Sequence, residues 1–406
     1  MSDLKKYHAT KTVYQAACER ISESFDLFDR LYVSFSAGKD STVMLHMVMA
    51  EAIKRERKVG VLIIDLEAQY QKTIDHMQAC VDMYRDHIDL HWVCLPLSLR
   101  NAVSNFEPRW QCWQPGAEWI REYPPYGITD GKAYPFFSPG MEFEEFMVEF
   151  GYWYSGPEKC KTGAFVGIRA DESLNRFRTI ASPKKETING YRWTTRVSPD
   201  ENYYNVYPIY DWKTADIWKF HQVHPSLPSN QIYDLMHRAG VPLSQMRLCQ
   251  PYGDDQRKGL WLFHILEPRT WPKIVRRVSG ANSGALYADE RGNITGVNKI
   301  SKPDNHTWKS FSELLFASLP EKTKAHYGKK FAVFKKWWTK RGYPEGLPEE
   351  TPLELENKAL TPSYRRICKV LLRNDYWCKG LHFSQPKSEA YKTYLEQHKK
   401  GKKIEK

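Results

Sequence analysis

Leu31-Tyr32-Val33-Ser34-Phe35, then Ser36-Ala37-Gly38-Lys39-Asp40-Ser41-Thr42, then Val43-Met44-Leu45-His46-Met47-Val48 is the stretch on which the fold turns. The first five residues have the apolar, β-forming character of a buried strand. A run of small, polar and charged residues follows without a spacer, and Val43, Met44, Met47, Val48, Ala50 and Ile53 then recur at helical spacing. Strand, tight loop and helix in that order leave unpaired N–H groups at the positive end of the helix dipole, where an anion fits. Gly38 allows close backbone approach or a positive φ. Ser36, Ser41 and Thr42 add hydroxyl donors, and Lys39 adds a full charge. Asp40 has the wrong sign to touch phosphate; a capping role, or a magnesium ion held through water, suits it better. The glycine and lysine spacing is not that of a Walker loop.

Working outward, Val13, Ala16, Ala17, Ile21 and Phe25 place a helix over residues 11–29. The helix after the loop ends in Lys54, Arg55, Arg57 and Lys58, which suit the negative end of its dipole. A strand at 59–65, a helix at about 70–86 and a strand at 88–95 complete β-α-β-α-β, the pattern of an α/β fold with a doubly wound parallel sheet. Residues 100–160 break that rhythm with Trp110, Trp113, Trp119, Pro124, Pro125, Pro135 and Pro139, and read as an aromatic insertion or lid. Strand patterns return at 163–168 and 206–209, and a helix starts near Thr214 as N-cap. No βα unit is legible beyond about residue 244, where helical stretches at 308–319, 322–341, 362–374 and 386–398 form a helix-rich extension. Two domains are expected, 1–243 and 244–406.

Of the 406 residues, 41% are hydrophobic and 27% charged, an ordinary soluble composition. No apolar run approaches the roughly 20 residues that span a bilayer, and the first residues lack a signal peptide's apolar core, so no membrane role and a cytoplasmic location are expected. The eight cysteines include no C-x-x-C pair and fit reduced thiols. The net charge of +12 points to an anionic partner. Much of it lies between Lys322 and Arg341, where Phe331, Phe334, Trp337 and Trp338 interleave with lysines, and in the tail at 399–406. Basic residues among aromatics have the composition of a nucleic-acid surface. They equally fit an amphipathic helix with its aromatics inward and its lysines solvated.

The loop resembles the S-x-G-x-D-S loop of PP-loop pyrophosphatases, and closely the S-G-G-K-D-S form of the phosphoadenylylsulfate (PAPS) reductase family. Ala37 stands where that family often has glycine, which the loop tolerates if this position keeps a negative φ. Gly167-Ile168-Arg169-Ala170-Asp171-Glu172-Ser173, followed by Arg176, is similar to the family's G-x-R-x-D-E-S…R segment. Arg169 and Arg176 suit phosphate or sulfate oxygens; alternatively Arg169 pairs structurally with Asp171 or Glu172. Tyr207 to Trp212 with Asp216-Ile217-Trp218 is similar to the P-I/L-x-x-W-x-x-x-D-I/V-W signature, whose tryptophans suit packing. Asp65 ends the second strand where the family flanks the adenosine, so Asp65 or Glu67 is a candidate contact.

The resemblance implies an adenine nucleotide alpha-hydrolase-like fold that binds ATP or a related adenine nucleotide with magnesium. It puts Lys39, Asp40 and Arg169 at the reacting phosphates, with Ser36, Gly38, Ser41, Thr42, Asp65, Asp171 and Arg176 completing the nucleotide site and Asp40 facing magnesium through water. Leu243 to Gly253 and Val278 to Tyr287 resemble the branch with an added C-terminal domain that includes the prophage immunoglobulin-binding regulator A. That branch implies a small ParB/sulfiredoxin-like companion and a regulatory role. Three activities follow from one loop: cleavage between the α and β phosphates with adenylyl transfer, sulfonucleotide reduction by a cysteine, or nucleotide sensing by a regulator that contacts nucleic acid. The reductases' E-C-G-I/L-H segment is absent, and Cys249 and Cys378 are the nearest substitutes by position.

Overall fold

The computed structural model describes residues 10–104, 106–183, 185–197, 202–248, 250–253, 260–281 and 300–384. They fall into two compact units, one holding the described residues up to 96 and from 122 to 248, the other those from 97 to 121 and from 250 to 384. Part of the expected insertion, 97–121, therefore joins the C-terminal unit, and the rest stays with the sheet.

The first unit opens with α1 (Val13–Leu27), whose capping box is Thr12 with Gln15. The chain then runs through β1 (Arg30–Ser34), α2 (Lys39–Lys54), β2 (Val59–Ile64), α3 (Gln71–Tyr84) and β3 (Ile88–Val93). After two short strands of the other unit, β4 (Ser98–Arg100) and β5 (Arg109–Gln111), it continues with β6 (Gly127–Ile128), α4 (Phe143–Tyr154), β7 (Thr162–Val166), α5 (Leu174–Ala181), β8 (Thr194–Arg196), β9 (Tyr203–Val206), α6 (Thr214–Val223) and α7 (Ile232–Arg238). The sheet order is β6-β3-β2-β1-β7-β9-β8, parallel throughout except for β8 against β9. The central strands are buried on both faces, as a sheet covered by helices on each side requires.

Three sequence expectations shift. The strand expected at 206–209 lies at 203–206, ahead of Pro208, which has no N–H to give a ladder. The N-cap of α6 is Lys213 rather than Thr214, with Asp216 accepting the Lys213 N–H at 2.7 Å. The latter part of the aromatic stretch is not a lid. Phe143, Phe146, Phe150 and Tyr154 follow helical spacing along α4; Phe146 and Phe150 are fully buried, and Phe150 sits edge-on against Tyr32 of β1 at 5.2 Å. This is the helix that leads into β7, hidden in the sequence by the Pro- and Gly-rich turns before it.

In the second unit β4 and β5 pair antiparallel. The helices are α8 (Leu260–Leu266), α9 (Trp271–Arg277), α10 (Trp308–Ala317), α11 (Glu321–Thr339), α12 (Leu353–Asn357) and α13 (Tyr364–Leu372). Its core joins Tyr327, Phe331, Phe334 and Trp338 of α11 to Ile367, Val370 and Leu371 of α13. The helix expected at 386–398 and the basic tail lie outside the described residues. Among those described, no helix is long and apolar enough to cross a membrane.

Candidate nucleotide site

The order of the sheet places the site. From β1 the chain moves outward through β2, β3 and β6, then returns to add β7 on the other side of β1. Ser34 pairs with Val166, so the two strands end level and the segments after them leave together at the switch point of the sheet, where open α/β folds bind ligands. The first segment is the Ser36–Thr42 loop; the second carries Arg169 and Asp171. They touch closely at Gly167, where a Cβ would lie 3.1 Å from the backbone of Ser41. A side chain there would require the two segments to give by a few tenths of an ångström.

Within the loop, Gly38 is the N-cap of α2, with φ at −67°, and supplies no side chain to cap the first turn. The positive φ falls on Ala37, at +56°, with the residue wholly buried. Ala37 thus does not meet the condition of a negative φ, and holds the backbone state that glycine adopts without strain. Ser41 donates to the Gly38 carbonyl at 3.1 Å and shares a hydrogen bond with Ser36 at 3.0 Å. Thr42 turns the other way: its hydroxyl meets His76 Nε2 at 2.9 Å in the core between α2 and α3. Burial pulls the His76 pKa down to about 3 and that of His46, bonded to Tyr84 and to the Pro228 carbonyl, to about 4, so both are neutral.

The charged groups converge on Asp40. One carboxylate oxygen accepts from Lys39 Nζ at 3.1 Å and the other from Arg169 Nε. Arg169, 2% exposed, also faces Asp171 at 3.7 Å and donates to the Trp212 carbonyl at 3.4 Å. Arg176 pairs instead with Glu172 at 3.0 Å on the next helix. The structural ion pair weighed for Arg169 is thus present with Asp171, and a stronger one runs to the loop itself. Asp65 closes its own turn: its carboxylate accepts the Glu67 N–H and the Trp92 indole N–H, each at 3.0 Å.

A second set of residues, from the segment around α6 and α7, also holds the loop. The Tyr233 hydroxyl accepts the Lys39 N–H at 3.0 Å, and Lys39 Nζ lies 5.9 Å from the centre of its ring. Asn230, buried, donates to the Ala37 carbonyl at 3.1 Å and to Thr73 at 3.2 Å. The Met246 carbonyl accepts from Lys39 Nζ at 3.4 Å. Burial lowers the His221 pKa, while a hydrogen bond to the Lys39 main chain and the charge of Asp40 pull it back up. Sequence reasoning missed these four. Asn230 carried a partial signal as a helix-start residue, since its side chain accepts the Ile232 N–H, but its hold on the loop is a long-range contact. The aromatic signature nearby is packing: Trp212 donates to the Val13 carbonyl at 3.1 Å, and Asp211 clamps Arg20 at 2.6 Å.

Cys378 is buried, and its thiol is pushed up to about 12 by that burial, the opposite of an activated nucleophile. Cys249 lies outside the described residues. On α11, Phe331, Phe334 and Trp338 face the core, and Trp337 alone of the four aromatics is exposed, with Arg341 stacked 3.9 Å from its ring centre.

The phosphoadenosine phosphosulfate reductase domain family matches residues 30–123, and a domain of unknown function, DUF3440, matches residues 240–361. The chain is 24% identical over 272 residues to sulfate adenylyltransferase subunit 2 of Brucella anthropi, covering 62% of this chain and 77% of that one. The phosphoadenylyl-sulfate reductase of Candida auris in its phosphate complex aligns at 14% identity over 54% of this chain and 84% of its own, with a TM-score of 0.27. Uncharacterized protein YbdN of Escherichia coli (strain K12) is 45% identical over 395 residues, 97% of this chain and 95% of that one. On that extent of identity the chain belongs to the family of YbdN; the phosphoadenosine phosphosulfate reductase and DUF3440 matches are likenesses of parts of it.

Proposed function

We propose that the protein binds ATP or a related adenine nucleotide where β1 and β7 end, and opens the bond between the α and β phosphates. Pyrophosphate leaves, and the adenylyl group passes to an acceptor. The observation that carries this is the meeting of Lys39 and Arg169 on one carboxylate, Asp40, at the start of α2. Two cations held by a single acid beside helix N–H groups are poised to exchange that acid for phosphate oxygens. The likeness to a protein named as a sulfate adenylyltransferase subunit supports transfer over reduction, as does the inert state of Cys378.

Lys39 would bear on the charge that builds on the departing pyrophosphate, and Arg169 on the α-phosphoryl oxygens. Tyr233 and Asn230 hold the loop backbone in register. Asp40 and Asp171 are the carboxylates at this mouth, and magnesium carried mainly by phosphates and water needs only one or two, so these residues fit it. Such an ion would supply further neutralisation of the leaving group. The ParB/sulfiredoxin-like companion is retained as partner, in a regulatory role.

The test is incubation of the full chain with labelled ATP and magnesium, with and without the companion, following AMP and pyrophosphate. Gly38→Val and Lys39→Ala are expected to abolish nucleotide binding with the circular dichroism spectrum unchanged. Calorimetry showing wild-type affinity in both variants sinks the assignment; binding without pyrophosphate release leaves a nucleotide sensor.

A further inference from the structure

The C-terminal unit has a cavity of its own, about 350 Å³, lined by α12, α13 and the turn after α13. Arg366, Lys369, Arg373 and Lys379 line it, against two acids, Glu356 and Asp375. Both acids are already committed. Glu356 accepts from the Ser363 hydroxyl at 2.6 Å, from Arg365 Nε at 3.0 Å and from the Thr351 N–H at 3.0 Å. Asp375 ties its own turn, accepting the N–H groups of Lys379 at 3.0 Å and Gly380 at 2.7 Å.

Arg366, Lys369 and Lys379 are not matched in the same way. Buried Arg366 spends its guanidinium on two carbonyls, those of Thr361 and Gly380, at 2.5 and 2.8 Å. Among the described residues, no carboxylate stands within ion-pair distance of Arg366, Lys369 or Lys379; Glu350 and Glu356 pair with Arg365 instead. Burial, and then the charge of Arg373, push the Lys369 pKa down against the opposing pull of Glu356. Cations turned toward a concave space, with the neighbouring acids tied elsewhere, are the arrangement that an anion completes.

We propose that this cavity binds a phosphoryl group carried by a small molecule. Its size is at the low end of small-molecule pockets, which run from roughly 300 Å³ upward, and fits a compact phosphorylated ligand rather than a track along a polymer. Lys369 and Lys379 are the cations that reach the phosphoryl oxygens, and Arg366 fixes the wall behind them through the Gly380 carbonyl. The site is independent of the nucleotide loop and of the activity proposed for it.

The experiment uses the full chain carrying Lys39→Ala, so that the nucleotide loop contributes nothing, titrated calorimetrically with inorganic pyrophosphate at constant ionic strength. One site is expected, weakened at least tenfold by adding Lys369→Glu and kept by Lys369→Arg. Since the Lys369→Glu chain has a changed charge inside a folded wall, a second measurement uses no variant at this position. Pyrophosphate should slow acetylation of Lys369, read by mass spectrometry, while leaving exposed Lys336 unaffected. No heat in the Lys39→Ala chain, equal heat with Lys369→Glu, or unprotected Lys369 overturns the proposal. So does protection of Lys369 by a short DNA duplex but not by pyrophosphate, which would assign the cations to a nucleic-acid backbone.

Discussion

The loop before α2 and the helix α11 look alike in the sequence, each setting lysine beside small or aromatic residues, yet they use their charge in opposite ways. In the loop, Lys39 is 7% exposed and meets Arg169, distant in sequence, across one carboxylate. On α11, Lys322, Lys329, Lys335 and Lys336 are exposed and Lys324 and Lys330 half-buried, while Tyr327, Phe331, Phe334 and Trp338 turn into the core. Cations that converge under burial call for an anionic partner, because each desolvated charge requires one. Cations that radiate from a packed helix are individually solvated and contribute little beyond solubility and long-range attraction. Any hold of α11 on nucleic acid therefore rests on lysine–phosphate contacts and weakens steeply with salt, with Trp337 the only described aromatic of the four left for stacking.

The largest effect expected from this contrast concerns α11. Phe334→Ala removes a buried ring from the core shared with α13 and should cost about 3–5 kcal/mol. Trp337→Ala, three residues on, removes a ring that is 46% exposed and should cost under about 1 kcal/mol. Chemical denaturation of the two variants measures the difference. Equal losses would mean that the helix does not sit with this face inward.

The loop makes the converse prediction. Asp40→Asn leaves buried Arg169 with Asp171, at 3.7 Å, as its paired carboxylate, and should destabilise the chain by about 3 kcal/mol. If Asp40 stands where phosphate oxygens can replace it, millimolar inorganic phosphate should restore much of the lost melting temperature in this variant and less in wild type. A loss that phosphate does not touch would make the network purely structural.

How far the sequence reached follows the same division. β1, α2, β2, α3 and β3 were legible because each shows its period over a continuous run, and Arg169 because its segment recurs as a string. The site's other half was not: Tyr233, Asn230, Met246 and His221 bear on the loop through contacts nearly two hundred residues away along the chain, and no local pattern encodes them. Helix α4 was missed for a different reason, since prolines and glycines up to Gly140 mask an aromatic face that begins at Phe143. The positive φ at Ala37 was invisible because alanine carries no turn signal.

Behind the loop, charge is refused rather than gathered, and pH tests that. His46 and His76 are held neutral, with pKa values near 4 and 3 against an ordinary 6.5. The unfolded chain takes up these protons first, so both histidines leave stability untouched above about pH 6.5 and erode it as pH falls toward 4. At pH 5 the loss should be about 2 kcal/mol per histidine. Melting measured from pH 7 to pH 5 should show a slope that shrinks by one proton in His76→Gln. An unchanged slope in that variant places the titration elsewhere.

The smallest effect sharpens the comparison at a single backbone angle. Ala37 sits at a φ of +56° that costs an L-residue about 1–2 kcal/mol, and the Asn230 bond to its carbonyl is one of the contacts that hold it there. Ala37→Gly releases that strain but gives the unfolded chain more freedom, worth about 0.5–1 kcal/mol in the other direction. The net change should be stabilising and under about 1 kcal/mol, with nucleotide affinity preserved. Ala37→Val, with a β-branched side chain in a fully buried left-handed position, should lose both stability and affinity. Asn230→Ala links the two, because removing the strap matters most where strain must be held. Its cost should be larger in the native chain than in the Ala37→Gly background, a difference that a double-mutant cycle reads directly. Equal costs in both backgrounds would mean that Asn230 supports α7 alone, and that the loop keeps its shape through Tyr233 and the Asp40 network.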